Sequence, residues 1–500
     1  MRSRKGANMT NPTRAFQSVR ATARPALSPL LLLVGGVALI AFTFMRYSVP
    51  AIAWVAFAPF LLVLNERGTL GQHFAVLGAL VIAMLIAVSK MATAGISWMP
   101  TIPMFAIPMA LEYFVAVAIA SMVHRRLGAR WGVYTFASAV TALTWIQYSF
   151  TPGSSWGALA HTQLENLPLV QLAALTGIGG LTFLVALGSG LAAAAWSSGV
   201  RVIRWDLALF GLLLGISVLY GEMRLARPAP GPSVLVGSVV SPVTHDEFNG
   251  ALANVDTLRR FDGELFARSA RAADHGAKII VWNELATFVS LASEPAFAAR
   301  GQTFARERGV MLVMAYGVVE SLAPFRDVNK YRIYLPDGTM ADEYLKRYPV
   351  PGDPDEVGRA HARVVNFGGV SYSGGICYDY GFPNIARDNA VDGADLAVVP
   401  SSDWRGIDPE HRQMAMMNAV AVGLPMVRPV RAATSFATDQ YGRVLGSLRA
   451  DGSSDGVMVV AVPGKRVPTL YARTGEIVPL VALAFCMLAV ALAIVAPRRR

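Results

Sequence analysis

A multi-pass α-helical membrane bundle joined to a soluble α/β sandwich is the architecture this 500-residue sequence predicts. Three observations lead there. The chain is 54% hydrophobic yet 15% charged, with a mean hydropathy of +0.44. That is too apolar for an ordinary soluble enzyme and too charged for a chain lying wholly in a membrane. Long apolar runs fill the first 220 residues and recur once near the C-terminus. Between them, from about 224 to 473, short β-like runs alternate with amphipathic segments.

A bilayer core needs about 20 mostly apolar helical residues. The candidate spans are 30–44, 50–64, 74–88, 102–123, 133–150, 167–196, 207–220 and Ile477–Val495. The first two are short and could form one helical hairpin. Gly177, Gly179 and Gly180 mark a bend or re-entrant start in 167–196. The expected division is a basic tail over 1–26, a bundle of about seven helices over 27–223, a soluble domain over 224–473, and a final helix with an arginine tail over 474–500.

Charge sets the orientation. With a cytoplasmic N-terminus, the inner segments carry Arg2, Arg4, Lys5, Arg14, Arg20, Arg24, Arg67, Arg125, Arg126, Arg130, Arg201, Arg204 and Arg498–Arg500, while the short outer loops carry Arg46 and Lys90. This asymmetry predicts an extracytoplasmic soluble domain. It also accounts for the net charge of +11 without nucleic acid. No small-residue cleavage site separates the first run from the second, so a cleaved signal peptide is not expected.

Within the soluble domain, strands are predicted at 233–240, 278–282, 310–319, 364–376 and 394–399. Hairpins are predicted at 331–344, turning at Asp337-Gly338, and at 426–448, turning at 439–442. Helices are predicted at 254–275, with Val255, Leu258, Phe261, Leu265 and Phe266 on one side, and at 410–423. Early strand–helix alternation followed by hairpins implies the α/β sandwich.

The chain has two cysteines. Cys486 lies in the last apolar run. Cys377 closes Gly-Gly-Ile-Cys-Tyr-Asp in the soluble domain, with no disulfide partner there. Glu284 closes another strand, Ile-Ile-Val-Trp-Asn-Glu, and Lys346 sits in Glu-Tyr-Leu-Lys-Arg-Tyr-Pro. Residues at strand ends of α/β sheets can converge. Together they make coherent chemistry: a thiol nucleophile, a carboxylate to take its proton and a lysine to stabilise an oxyanion. Each also admits a plainer role, as a core cysteine, a helix-capping carboxylate and a solvated lysine. The seven histidines show no ligand spacing, and no metal is expected.

This order of Glu, Lys and Cys resembles the nitrilase (carbon-nitrogen hydrolase) superfamily. Its fusion to an N-terminal bundle and one C-terminal helix resembles the apolipoprotein N-acyltransferase family. Further pieces fit: Ser155-Trp156-Gly157, Asp403-Trp404 before His411, Val427-Arg428-Pro429, Asp439-Gln440-Tyr441-Gly442, and the run from Thr469 to Gly475. The resemblance implies a nitrilase-like αββα sandwich and a catalytic set of Glu284 as base, Lys346 and Cys377. It implies acyl transfer from a membrane phospholipid, through a Cys377 thioester, to the N-terminal amine of a diacylglyceryl-cysteine apolipoprotein, without cofactor, in a bacterial inner membrane. Where the family carries Pro-Phe-Gly-Glu, this chain has Pro351-Gly352-Asp353-Pro354-Asp355-Glu356, and Glu356 is the expected second carboxylate, with Asp353 or Asp355 as the alternatives. Tyr378, Asp379 (for a family Glu) and Trp404 are the expected supporting residues. Two other readings stand beside transfer: a membrane-tethered amidase that uses water, and an inactive relative that only binds lipoproteins.

Overall fold

The computed structural model describes residues 28–93, 100–243, 259–449 and 455–496. The predicted basic tail over 1–26, the three terminal arginines, and Val255 and Leu258 of the predicted 254–275 helix lie outside the described residues.

The N-terminal region is helical: α1 (Pro29–Ala41), α2 (Pro50–Ala53), α3 (Ala58–Glu66), α4 (Leu70–Ser89), α5 (Thr101–Leu127), α6 (Ala129–Phe150), α7 (Leu167–Val170), α8 (Ala173–Ser198) and α9 (Arg204–Leu225). The predicted span at 50–64 is interrupted by a turn at 54–57. The 13 residues of α1 rise about 20 Å, short of a bilayer core. The break expected in 167–196 falls at Gly177, whose φ of 61° and ψ of −165° leave the helix. A Cβ there would lie 2.5 Å from the Tyr471 ring, so both backbone and packing require glycine.

The soluble region runs β1 (Ser233–Val239), α10 (Arg259–Asp274), β2 (Ile279–Trp282), β3 (Phe288–Ser290), α11 (Glu294–Arg308), β4 (Met311–Leu322), β5 (Phe325–Tyr334), β6 (Met340–Leu345), β7 (Val365–Phe367) and β8 (Val370–Gly374). It continues with α12 (Pro383–Val391), β9 (Leu396–Val398), β10 (Ser401–Ser402), α13 (Asp408–Val422), β11 (Met426–Arg428), β12 (Val430–Arg431), β13 (Thr434–Thr438), β14 (Val444–Arg449) and β15 (Val457–Pro463). Then come α14 (Leu470–Thr474) and α15 (Ile477–Val495).

Among the described residues, five helices are long and apolar enough to cross a membrane: α4, α5, α8, α9 and α15. The 22-residue α6 packs among them and buries Thr135, Ser138, Thr141 and Thr144.

Two sheets form the sandwich. The first has the order β15-β1-β2-β4-β5-β6, with β3 paired to β4; the second has the order β14-β13-β11-β9-β8-β7. Alternation along each strand divides the side chains between two faces. Ile279, Val281, Met311 and Val313 face the second sheet's Tyr372, Leu396, Val398 and Val427. Ile280, Trp282, Leu312 and Met314 pack against Leu265, Phe297 and Phe304 of the outer helices. Beyond the second sheet, α12 and α13 share one apolar core with the bundle. The layers are therefore αββα, with the bundle against the last.

Polar contacts mark the two ends of the bundle. At one end Arg125 donates to Leu64 C=O (2.5 Å), Arg126 to Ala496 C=O (3.2 Å), and Arg130 pairs with Asp206 (3.0 Å). At the other end Lys90 donates to Ala41 C=O (2.7 Å), and the sandwich is seated there. Trp404 Nε1 donates to Met91 C=O (2.9 Å), and Ser155 Oγ to Gly381 C=O (2.7 Å).

Candidate active site

β1, β2 and β4 run parallel, as do β8, β9 and β11. Glu284 follows the end of β2, Cys377 follows β8, and Lys346 follows β6. The sandwich brings these three ends together between the sheets. All three residues are buried.

Lys346 Nζ lies 2.8 Å from Glu284 Oε1, 3.5 Å from Asp355 Oδ2 and 3.7 Å from Asp353 Oδ2. Asn329 Nδ2 donates to Glu284 Oε1 (2.8 Å) and to Asp355 Oδ2 (3.0 Å). Burial alone would lower the Lys346 pKa. The surrounding carboxylates, Glu284 first, outweigh it and hold the ammonium charged. Burial pushes Asp353 up to about 6 despite Lys346, and pushes Asp327 up to about 8 with the Asp355 charge adding to it. Asp327 therefore holds its proton more tightly than an ordinary aspartate.

Of the three carboxylates that the sequence offers, Asp355 and not Glu356 is the buried one beside the lysine. Glu356 is exposed, and its backbone N–H donates to Asp327 C=O (2.9 Å). That bond and the Asp327–Asp355 bridge turn Asp355 inward, with its side chain 4% exposed. The structure brings Asp355 to the lysine and leaves Glu356 outside.

Cys377 has φ of 47°, a left-handed conformation that costs an L-residue energy and persists only where its surroundings enforce it. Its N–H donates to Pro400 C=O (2.9 Å). A 3₁₀ turn, Cys377–Gly381, begins at the thiol, and the Tyr378 N–H precedes that turn's bond from Asp379 N–H to Ile376 C=O (3.0 Å). Burial, then the charges of Glu284 and Asp403, push the Cys377 thiol well above its ordinary pKa. It rests as a neutral S–H.

Asp379 braces this arrangement. Oδ1 accepts from the Arg347 and Tyr348 N–H groups (3.1 and 2.8 Å), and Oδ2 from Ile376 N–H and Tyr344 Oη (2.9 and 2.8 Å). It thus ties the residue before the thiol to the two residues after the lysine. Burial pushes it up to about 6. Tyr378 Oη donates to Pro152 C=O (3.0 Å), and Trp404 holds Met91, so both residues expected in support join the sandwich to the bundle.

Sequence reasoning left a second network without a role. Cys377 Sγ lies 3.6 Å from both Ser402 C=O and Asp403 Oδ1. Asp403 Oδ1 lies 2.8 Å from His411 Nδ1, and Oδ2 accepts from Arg428 (2.8 Å). Burial works to raise Asp403, but Arg428 and His411 overcome it and hold the carboxyl far below its ordinary range. Arg431 donates to Ser402 Oγ (2.8 Å). Among the described residues, Cys377, Asp403 and His411 form the one group whose donor atoms lie within 4.8 Å of one another as a metal site requires. The guanidinium of Arg428 already binds that carboxylate and would repel a second cation, so the donor set does not fit a metal.

A groove of about 530 Å³ runs beside the site between α5 and α6, lined by Phe105, Val115, Leu143, Ile146, Trp156 and Pro351 among others. Leu111 and Val115 leave its flank open on the bundle's outer surface. Toward the sandwich its wall includes Pro152, whose C=O accepts from Tyr378 Oη, and Pro351, two residues before Asp353.

Residues 36–191 match the family profile described as apolipoprotein N-acyltransferase N-terminal domain, and residues 257–470 match carbon-nitrogen hydrolase. Three curated relatives bear the name apolipoprotein N-acyltransferase. That of Bradyrhizobium diazoefficiens is 24% identical, covering 78% of this chain and 79% of the relative. That of Geobacter metallireducens is 24% identical (84% and 87%), and that of Rhodopseudomonas palustris 26% (79% and 80%). Among solved structures, an amidase from Nesterenkonia sp. is 20% identical with a TM-score of 0.40, covering 49% of this chain and 94% of its own.

Proposed function

The chain belongs to the apolipoprotein N-acyltransferase family, and from that premise we propose that it moves a fatty acyl chain from a membrane phospholipid to the N-terminal amine of a diacylated lipoprotein through Cys377. Asn329 and Lys346 both donate to Glu284 Oε1, and Oε2 is the oxygen assigned to accept the proton. Because the resting thiol is neutral, Glu284 takes its proton as Sγ attacks the ester carbonyl. Lys346 stabilises the oxyanion that forms, with the backbone N–H of Tyr378, next to the thiol, as the proposed second donor. Collapse breaks the ester C–O bond, the proton passes from Glu284 to the leaving lysophospholipid oxygen, and a thioester remains. In the second half the lipoprotein amine attacks the thioester and loses a proton to Glu284. The C–S bond breaks, and the thiol regains that proton as an amide forms.

The observation that carries this reading over a water-using amidase is the groove. It opens laterally on the bundle, and its wall includes Pro152, which accepts from the Tyr378 hydroxyl beside the thiol, and Pro351, so it offers an acyl chain a path from the bilayer toward Cys377. Domain limits follow the same reading: a bundle to about 223, a catalytic sandwich over 224–473 and a returning helix. The described loops keep their charge asymmetry, with Arg67, Arg125, Arg126, Arg130, Arg201 and Arg204 against Arg46 and Lys90, which favours a sandwich on the extracytoplasmic face.

The test is a two-substrate reaction. Purified protein is incubated with phospholipid and a synthetic diacylated lipopeptide, and the lipopeptide is weighed. A gain of one acyl group, absent with Cys377→Ala, is the expected result. Release of free fatty acid without lipopeptide acylation makes the protein a hydrolase instead.

A further inference from the structure

We propose that Glu112 sets the length of the acyl chain this site accepts, a role that rests on the acyl-transfer reading above. The mechanism does not use this carboxylate, yet it lies inside the 27-residue apolar α5. An ionisable residue at membrane depth is expensive and usually functional. Glu112 lines the groove, and its Oε1 accepts a hydrogen bond from Thr144 Oγ1 of α6 (2.8 Å). That partner is a neutral hydroxyl, not a cation.

Its position along the groove gives the role. The α5 residues that line the groove run from Met104 to Val115, about 16 Å along the axis, with Glu112 about 12 Å from Met104. The Met104 end is the one toward the sandwich, where Phe105 meets Trp156 and where Pro152 and Pro351 join the wall. A chain whose carbonyl sits at Cys377 therefore points its methyl end toward Glu112. One that stops short passes Gln147 and Thr151, whose Nε2 and Oγ1 already donate to backbone carbonyls, and otherwise meets apolar wall. One that runs further must press methylenes onto a carboxylate and strip the solvation that Thr144 does not supply. Leaving one buried polar group unsatisfied favours the shorter chain by roughly five- to hundredfold. Leu111 and Val115 leave the flank open, so a long chain can bow outward, and the effect belongs at the low end of that range.

The experiment uses the full-length protein in nanodiscs holding equal amounts of phosphatidylethanolamines with 12-, 14-, 16- and 18-carbon saturated chains. The acyl-enzyme is resolved by intact mass, so each chain is counted within one sample and a poor yield of a variant leaves the ratio readable. Wild type is expected to favour chains below a cut-off. Glu112→Leu should raise the 18-to-14-carbon ratio about fivefold, and Glu112→Gln by less. Thr144→Val keeps the carboxylate and removes its donor, so it should lower the ratio. Equal ratios in all four proteins overturn the proposal, as does a proportional loss at every length. Absence of any acyl-enzyme in wild type overturns the acyl-transfer reading itself, and this proposal with it.

Discussion

Cys377 lies between two polar networks that handle charge in opposite ways. On one side a single ammonium, Lys346, faces Glu284, Asp353 and Asp355, with Asp327 behind them. Acids outnumber the base, and two of them titrate near neutrality, Asp353 at about 6 and Asp327 at about 8. On the other side a single carboxylate, Asp403, is held by Arg428 and His411, with Arg431 close by on Ser402. There Asp403 lies far below its ordinary range, and the charge of Arg428 is reinforced by that carboxylate. The first network can move protons near neutral pH. In the second the Asp403 carboxyl stays charged and serves to hold the thiol. On the proposed mechanism the difference divides the labour, with chemistry on the Glu284 side and positioning on the Asp403 side.

The largest expected effect falls on the proton-moving side. Glu284→Gln removes the base and should slow acyl-enzyme formation by on the order of a thousandfold. A loss under tenfold in single-turnover measurements would break the division at its root. Asp355→Asn comes next, at on the order of a hundredfold, since it loosens Lys346 without removing it. Glu356→Gln, on the exposed neighbour, should stay within about twofold. Reversed magnitudes would restore the carboxylate that the sequence favours.

On the fixed side, Asp403→Asn leaves Arg428 buried against a neutral group. Breaking such a pair costs about 3 kcal/mol of stability, read as a lower unfolding temperature. The pH profile of the surviving activity should keep its shape. A shifted profile would place Asp403 among the proton carriers and erase the contrast.

The pH limb sharpens it further. Asp327 is raised in the folded state, so the stability linked to its proton is full below the ordinary aspartate range. It is lost as pH rises through about 8. A second negative charge then appears beside Asp355, and acylation should fall. Asp327→Asn should extend the plateau above that pH, and an unchanged limb would assign the fall to another group. The smallest effect concerns the seat on the bundle. Trp404→Phe deletes the bond to Met91 and should cost about 1 kcal/mol.

How far these networks could be read in advance follows from where their residues sit. Glu284 and Cys377 close short apolar strands, so strand ends exposed them. The bend at Gly177 and the Asp337-Gly338 hairpin had their own glycine signals. The choice of Asp355 over Glu356 had none, because a backbone bridge between distant segments decides which side chain turns inward. Asn329 and Asp327 left a fainter trace. They alternate with Tyr331 along one strand, and polar residues repeating at period two on a buried face point to a site. Arg428 in an otherwise apolar strand and Glu112 in an apolar span carried similar signals, each a charge without a nearby partner in sequence.

The central claim is that the thiol takes its acyl group from a bilayer lipid with Glu284 as base. Full-length protein in phospholipid nanodiscs, with no acceptor present, tests it by intact mass. Wild type and Cys486→Ala should gain one fatty acyl group. Cys377→Ala should gain none, and Glu284→Gln should gain it on the order of a thousand times more slowly. Acylation that persists in Cys377→Ala, or that proceeds in Glu284→Gln at the wild-type rate, contradicts the account.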